Sequence, residues 1–342
     1  MTIDEQYMAR CLQLAANGRF DTAPNPMVGA VIVHHGKIIG EGYHRRCGEA
    51  HAEVNAVSSV KDESLLREAT MYVSLEPCAH YGKTPPCADL IVSKHIPRVV
   101  IGCRDNFDQV DGKGIQKLRD AGIEVTVGVL EEECRALNRA FFTYHGKRRP
   151  YIILKWAQSA DGYIDKNRAE RTDGPAVRFS TDETSMSVHR LRALSDAILV
   201  GRRTASLDNP SLTTRLWPGK SPLRVVIDRK GILDLGLKIF DGTTKTAVFT
   251  DVFPTRHTAA SHRTALCKQD TTTTCRRRFK TSTKFHRPWP MGRSIHRGGP
   301  LLLGQWSEGA SPRQRISKGG NQSFRAQDLA LFTRKIGFLL IF

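Results

Sequence analysis

Three stretches of this chain carry side chains that could hold a metal and leave it reactive. His51-Ala52-Glu53, Pro77-Cys78 and Cys87 supply one imidazole, one carboxylate and two thiols. A structural zinc site is closed by four protein ligands, whereas three ligands leave a tetrahedral position for water. Zinc lowers the pKa of such a water towards neutrality, and a nearby carboxylate can carry its protons. With His51, Cys78 and Cys87 as zinc ligands and Glu53 as proton carrier, the pattern reads as hydrolytic deamination. Each piece alone is weak, because a His-x-Glu tripeptide is common and a lone cysteine is usually a small core residue. Their combination at the starts of helices and the end of a strand is what carries the reading.

Eight residues separate Cys78 from Cys87, where the general deaminase pattern has two. The intervening loop holds His80 and Lys83. His80 reads as a loop histidine, since three ligands and a water already complete the shell. Lys83 reads as an exposed cation that, in a site loop, can meet a phosphate.

These residues need a scaffold, and the apolar periodicity supplies one. A helix is expected over 5–17, a buried strand over 28–34 ending at His35-Gly36, and a helix over 51–60. A strand over 69–75 runs into Glu76-Pro77-Cys78, and a short helix over 87–93 is entered through Pro85-Pro86. Strands at 98–102 and 123–127 alternate with helices at 115–121 and 131–144, the pattern of an α/β layered sheet. The polar break at 146–150 marks a domain boundary. Beyond it come strands at 151–155, 197–201, 223–228 and 246–250 and a helix at 187–193. After about residue 250 the periodicity is lost.

The length of 342 residues suits two domains. No apolar run approaches the length of a membrane span, and no signal peptide is read at the N-terminus. Eight cysteines without export signals read as reduced thiols and metal ligands, so a cytoplasmic protein is expected. The net charge of +18 is unevenly placed: residues 251–342 hold 17 of the 52 Lys and Arg but only 4 of the 34 Asp and Glu. Such a tail reads as a nucleic-acid arm or as a solvated segment, and the lack of regular aromatic interleaving favours the second.

Residues 23–33, Gly42-Tyr43-His44, His51-Ala52-Glu53 and the long loop from Glu76-Pro77-Cys78 to Cys87 together resemble the RibD family of bifunctional riboflavin-biosynthesis enzymes. The similarity runs collinearly from about residue 5 to 230. It implies an N-terminal three-layer cytidine-deaminase-like α/β domain over 1–146. This domain would deaminate 2,5-diamino-6-(5-phosphoribosylamino)pyrimidin-4-one. Over 150–250 it implies a dihydrofolate-reductase-like α/β domain, here incomplete, that reduces the ribosyl group to a ribityl chain with NADPH. The resemblance places Asn25 and His44 on the pyrimidine and ribosyl part of the substrate, and Lys83 and Asp105 on its phosphate. The family follows that Asp with a spaced Asn, whereas here Asn106 is adjacent and Phe107 holds the spaced position. In the second domain, Leu154 to Gly162, Arg190-Leu191-Arg192, 197–201 and Asp208 to Thr213 continue the match. It puts Arg192, Leu212 and Arg215 on the substrate and Gln158, Thr204 and Asp208 on the cofactor. A homo-oligomer acting on a small phosphorylated pyrimidine is implied, without membrane or nucleic-acid partners.

The family ends its reductase with a hydrophobic strand and Glu-Gly-Gly, where this chain has Ile295-His296-Arg297-Gly298-Gly299. His-Arg-Gly-Gly can be encoded so that reading one base later gives Ile-Val-Glu followed by Gly or Ala. Residues 251–342 are therefore expected to be a basic, aberrant tail read out of frame. Two other function classes compete. A tRNA base deaminase would use the basic tail to hold RNA, and a zinc-stabilised binding module would be indifferent to Glu53→Gln.

Overall fold

The computed structural model describes residues 1–81, 85–106 and 110–252, and the backbone of two further strands at 264–268 and 338–341. The chain divides into two compact units, Met1–Tyr151 and Ile152–Phe342.

The first unit opens with helix α1 (Ile3–Ala15), capped by Thr2 and Glu5 in a reciprocal capping box. Strands β1 (Gly29–His34) and β2 (Lys37–Tyr43) form a hairpin. Helix α2 (Ala52–Ser58) leads to β3 (Thr70–Leu75), and α3 (Cys87–Ser93) leads to β4 (Arg98–Cys103). Helix α4 (Lys113–Asp120), strand β5 (Glu124–Val127) and helices α5 (Glu131–Leu137) and α6 (Arg139–Lys147) complete the unit. The sheet order is β2-β1-β3-β4-β5, with β1 antiparallel to both neighbours and β3, β4 and β5 parallel.

Alternation along each strand makes this sheet two-faced. Ala30, Ile32, Met71, Val73, Val99 and Ile101 pack with α2, α3 and α4 on one face. Val31, Val33, Tyr72 and Val100 pack with α1 and Cys134 on the other. The result is three layers, helix, sheet and helix. Ile32, Met71 and Ile101 are fully buried, so truncating any of them to alanine should cost about 2–5 kcal/mol. Gly42 lets α2 lie directly on β2, because a Cβ there would come 2.3 Å from the Ala56 nitrogen.

Several elements differ from the sequence expectation. The expected single helix over 131–144 is two helices broken at Asn138. The buried Asn138 side chain accepts from Met27 N–H and donates to Met27 C=O, both at 2.8 Å, so a tertiary clasp outweighs helical continuity. Strand β2 was not expected, because its exposed Lys37 and Ile38, half-buried Glu41 and two glycines hide the alternation.

The second unit holds β6 (Ile152–Lys155), α7 (Asp182–Leu194), β7 (Ala197–Gly201), α8 (Arg202–Asp208), β8 (Leu223–Ile227) and β9 (Thr246–Thr250). Strands β10 (Thr264–Lys268) and β11 (Phe338–Ile341) join the same sheet, in order β10-β9-β8-β7-β11-β6. Strands β7 to β10 run parallel, whereas β11 runs antiparallel to both β6 and β7. Ile198, Val200, Leu212, Val226 and Ile239 form its core. At its rim the fully buried Arg224 bonds Thr246, Asp241 and the Ser211 and Lys238 carbonyls. A buried guanidinium is tolerated only when satisfied in this way.

Candidate metal centre and the basic cluster

His51 lies at the N-cap position of α2, Cys78 three residues beyond β3, and Cys87 at the first position of α3. Packing of α2 and α3 on the same sheet face brings all three to one place. His51 Nδ1 lies 3.3 Å from Cys87 Sγ and 3.6 Å from Cys78 Sγ, and the three ligand atoms lie within 4.8 Å of one another. Tetrahedral zinc with its usual bond lengths sets nitrogen and sulfur ligands about 3.6 Å apart, so the donor set fits the ion. Cys87 N–H donates to Cys78 Sγ at 3.3 Å.

One proton is shared unequally between the thiols. The hydrogen bond from Cys87, with help from His51, holds Cys78 down to about 4. The same bond and burial push Cys87 well above the usual thiol range. Contact with Cys78 raises His51. Glu53 lies in the first turn of α2 and is 3% exposed. Burial pushes its carboxyl up to about 6 against the opposing pull of His51. A carboxyl poised there can take and return a proton near neutral pH.

The rim of this centre is built by hydrogen bonds from distant segments. Asn25 Nδ2 donates to His44 Nε2 at 3.2 Å, and His44 Nδ1–H donates to the Ala50 carbonyl at 3.0 Å. Burial lowers the His44 pKa, so the ring is neutral. Its ring meets the His51 ring edge-on at 5.4 Å. Asn25, His44, His51, Glu53, Cys78 and Cys87 are thus brought together. Asp105 is buried beside Glu76, which accepts its backbone N–H at 3.2 Å. Lys83 lies outside the described residues.

Sequence reasoning missed three residues that position this centre. Glu76 accepts from the backbone N–H groups of Asp105, Gly112, Gly114 and Ile115, which ties the approach to Cys78 to the start of α4. Asn55 donates to the Tyr43 and Ala50 carbonyls and holds the His44 loop. Asn138 holds Met27, two residues beyond Asn25. Only Glu76 carried a signal, its place immediately before Pro77-Cys78.

In the second unit, Arg192, His189 and Arg215 converge. Arg192 donates to the Thr213 carbonyl at 3.0 Å and lies 3.4 Å from His189 Nε2, while Arg215 N–H donates to His189 Nδ1 at 2.8 Å. Burial, then Arg215, lowers Arg192 to about 10, and burial, then both arginines, lowers His189 to about 4. Lys155 is also lowered, by burial and then Arg192. Arg192, Arg215 and Lys155, gathered so that their charges oppose one another, suit an anionic ligand. Leu212, beside it in sequence, is buried with a left-handed backbone (φ +55°), a conformation that costs a non-glycine residue about 1–2 kcal/mol. Gln158 accepts from Trp156 Nε1 at 2.9 Å. Thr204 lies on α8, and Asp208 at its end is paired with the buried Arg168. His189 and Lys155 were not singled out from sequence, because neither has a local motif.

A three-layer α/β unit with a His-Cys-Cys centre at the carboxyl end of β3, over a buried glutamate, defines the zinc-dependent deaminase class. Residues 1–103 match the cytidine and deoxycytidylate deaminase zinc-binding region, and residues 150–276 match the RibD C-terminal domain. The chain belongs to the RibD family of riboflavin-biosynthesis proteins. It is 45% identical over 240 residues to riboflavin biosynthesis protein RibD of Aquifex aeolicus, covering 70% of this chain and 65% of that protein. With the Synechocystis RibD it shares 41% identity over 263 residues, 75% of this chain and 68% of the relative. A crystal structure of a diaminohydroxyphosphoribosylaminopyrimidine deaminase/5-amino-6-(5-phosphoribosylamino)uracil reductase from Thermotoga maritima superposes with a TM-score of 0.70 at 41% identity. It covers 79% of this chain and 75% of that one. The chain spans less than two thirds of the length of the Aquifex, Actinobacillus and Escherichia coli relatives. Among the described residues no helix is long and apolar enough to cross a membrane.

Proposed function

We propose that the first unit hydrolytically deaminates 2,5-diamino-6-(5-phosphoribosylamino)pyrimidin-4-one. The observation that carries this reading is the convergence of His51, Cys78 and Cys87 over the buried Glu53. Zinc held by these three residues would supply an acidified water to the site. Glu53 takes a proton from the attacking water and delivers it to the exocyclic nitrogen. The new C–O bond forms, the C–N bond breaks, and ammonia leaves. Asn25 and the neutral His44 orient the pyrimidine and ribosyl part, and Lys83 and Asp105 contact the phosphate end.

The second unit would bind the deaminated product through Arg192, Leu212 and Arg215, with the cation cluster facing its phosphate. Gln158, Thr204 and Asp208 would hold NADPH, which would supply the hydride needed to reduce the ribosyl group. The deaminase domain spans 1–146 and the reductase 150–250 with its partial continuation. The family match continues to residue 276, so we place the change of reading frame near there and not near residue 250, where the loss of periodicity put it. Resequencing the coding DNA should restore a strand and Glu-Gly-Gly after a one-base correction. The thiol-rich site fits the reducing cytoplasm, and a homo-oligomer follows the habit of such deaminase domains.

The test offers the purified, zinc-loaded chain the phosphorylated pyrimidine and, separately, a tRNA. Ammonia release from the pyrimidine is expected; deamination of the tRNA alone would overturn the reading. With the deaminated product, NADPH oxidation is expected to be weak or absent, and normal turnover would refute the incomplete reductase.

A further inference from the structure

The opposite end of the first sheet carries a second cluster of metal-binding side chains. Strand β1 ends at His34, and His35-Gly36 turn the chain into β2, with His34 paired to Lys37. Both turn residues are left-handed, at φ +45° and +73°. Along a regular strand, neighbouring side chains point to opposite faces. The left-handed backbone of His35 removes that alternation and brings the two imidazoles together, with ring centroids 4.1 Å apart at 61°. Glu68 closes a 3-10 turn over Glu63–Glu68 just before β3, and pairing of Val33 with Thr70 holds it beside the hairpin end. A single carboxylate oxygen, Oε2 of Glu68, then faces His34 Nε2 at 3.6 Å and His35 Nε2 at 3.5 Å.

We propose that His34, His35 and Glu68 form a second metal site, specific for a borderline divalent transition ion such as Zn²⁺ or Co²⁺. Imidazole and carboxylate ligands bond zinc at about 2.0–2.2 Å, which sets tetrahedral ligand atoms about 3.4 Å apart. The observed separations are close to that spacing, and the three ligand atoms lie within 4.8 Å of one another. Two imidazoles select a borderline ion over Ca²⁺ or Mg²⁺. The His35 and Glu68 side chains are 75% and 70% exposed, so an ion enters directly from solvent and water fills its remaining positions. Bound metal would staple the β1–β2 turn to the segment entering β3. This site is separate from the deaminase centre. Glu68 precedes β3 and Cys78 follows it, and six strand residues span roughly 20 Å.

The donor sets differ, nitrogen and oxygen here against sulfur and nitrogen there, which makes the two sites separable. The full chain is stripped with chelator and titrated with Zn²⁺ and with Co²⁺. His35→Asn keeps a residue that tolerates the left-handed turn, and Glu68→Gln keeps the shape of the exposed side chain. Each variant should bind one fewer equivalent of Zn²⁺ than the unmodified chain, with affinity at the lost site reduced about 100-fold or more. The thiolate-to-cobalt charge-transfer absorption should be unchanged in both. In Cys78→Ser, which removes one of the two thiolates, it should weaken, while the His34 site still fills. If both variants bind as much metal as the unmodified chain, the proposal is overturned and the cluster is an ordinary histidine–carboxylate pairing.

Discussion

The Nδ1–H of His44 is committed to the Ala50 carbonyl, so its Nε2 lone pair faces the Asn25 amide. Burial keeps the ring neutral, and Asn25 is thereby held with its amide fixed in one orientation. Replacing Asn25 with alanine should raise KM for the pyrimidine about tenfold, the cost of one partly buried hydrogen bond, with zinc content unchanged. Steady-state kinetics beside metal analysis checks this. At this scale the convergence of His51, Cys78 and Cys87 was legible in the sequence. Histidine and cysteine are scarce, and few other chemistries need them with a carboxylate two residues from the histidine. Glu76, Asn55 and Asn138 were not legible, because each acts on the backbone of a distant segment. Nothing periodic or local marks a side chain whose partner lies 111 positions away, as Met27 does from Asn138.

At the scale of elements, the centre depends on how closely α4 approaches Pro77. A Cβ on Gly114 would sit 1.9 Å from the Pro77 carbonyl oxygen, immediately before Cys78. Gly114→Ala should therefore push this segment outwards, destabilise the unit by about 1–3 kcal/mol and reduce bound zinc. Thermal melts and metal content read both effects. The anchoring of α1 gives a pH dependence. Arg98 bonds to Asp4, which also accepts from the Tyr72 hydroxyl at 2.7 Å, and the Arg98 bond holds the Asp4 carboxyl below its usual value. The folded value is depressed, so the stabilisation is full above the unfolded carboxylate pKa and is lost as the pH falls through the folded one. Asp4→Asn should lower Tm at neutral pH, with the gap closing in acid. Most strands and helices of the first unit were legible from alternation and helical spacing. Helix α8 was missed because it carries one buried residue, Ala205, and so shows no apolar stripe.

At the scale of the whole chain, two α/β units follow one another, and the family match extends over both. Their sites are unequally complete. The first gathers His51, Cys78, Cys87, Glu53 and the Asn25–His44 rim within one described unit. The second shows its cation cluster, but Asp208 is bound up with Arg168, and much of the chain beyond residue 252 lies outside the described residues. The high net charge, which first suggests a nucleic-acid arm, belongs to that stretch and not to the deaminase centre. The deaminase reading therefore stands or falls on Glu53 acting on a substrate beside a metal it does not hold. The most direct measurement compares the zinc-loaded chain with Glu53→Gln for metal content and for ammonia release from the phosphorylated pyrimidine. Unchanged zinc with turnover reduced about 10²–10⁴-fold is the expected result. Full turnover in the variant, or no turnover in the zinc-loaded parent, would contradict it.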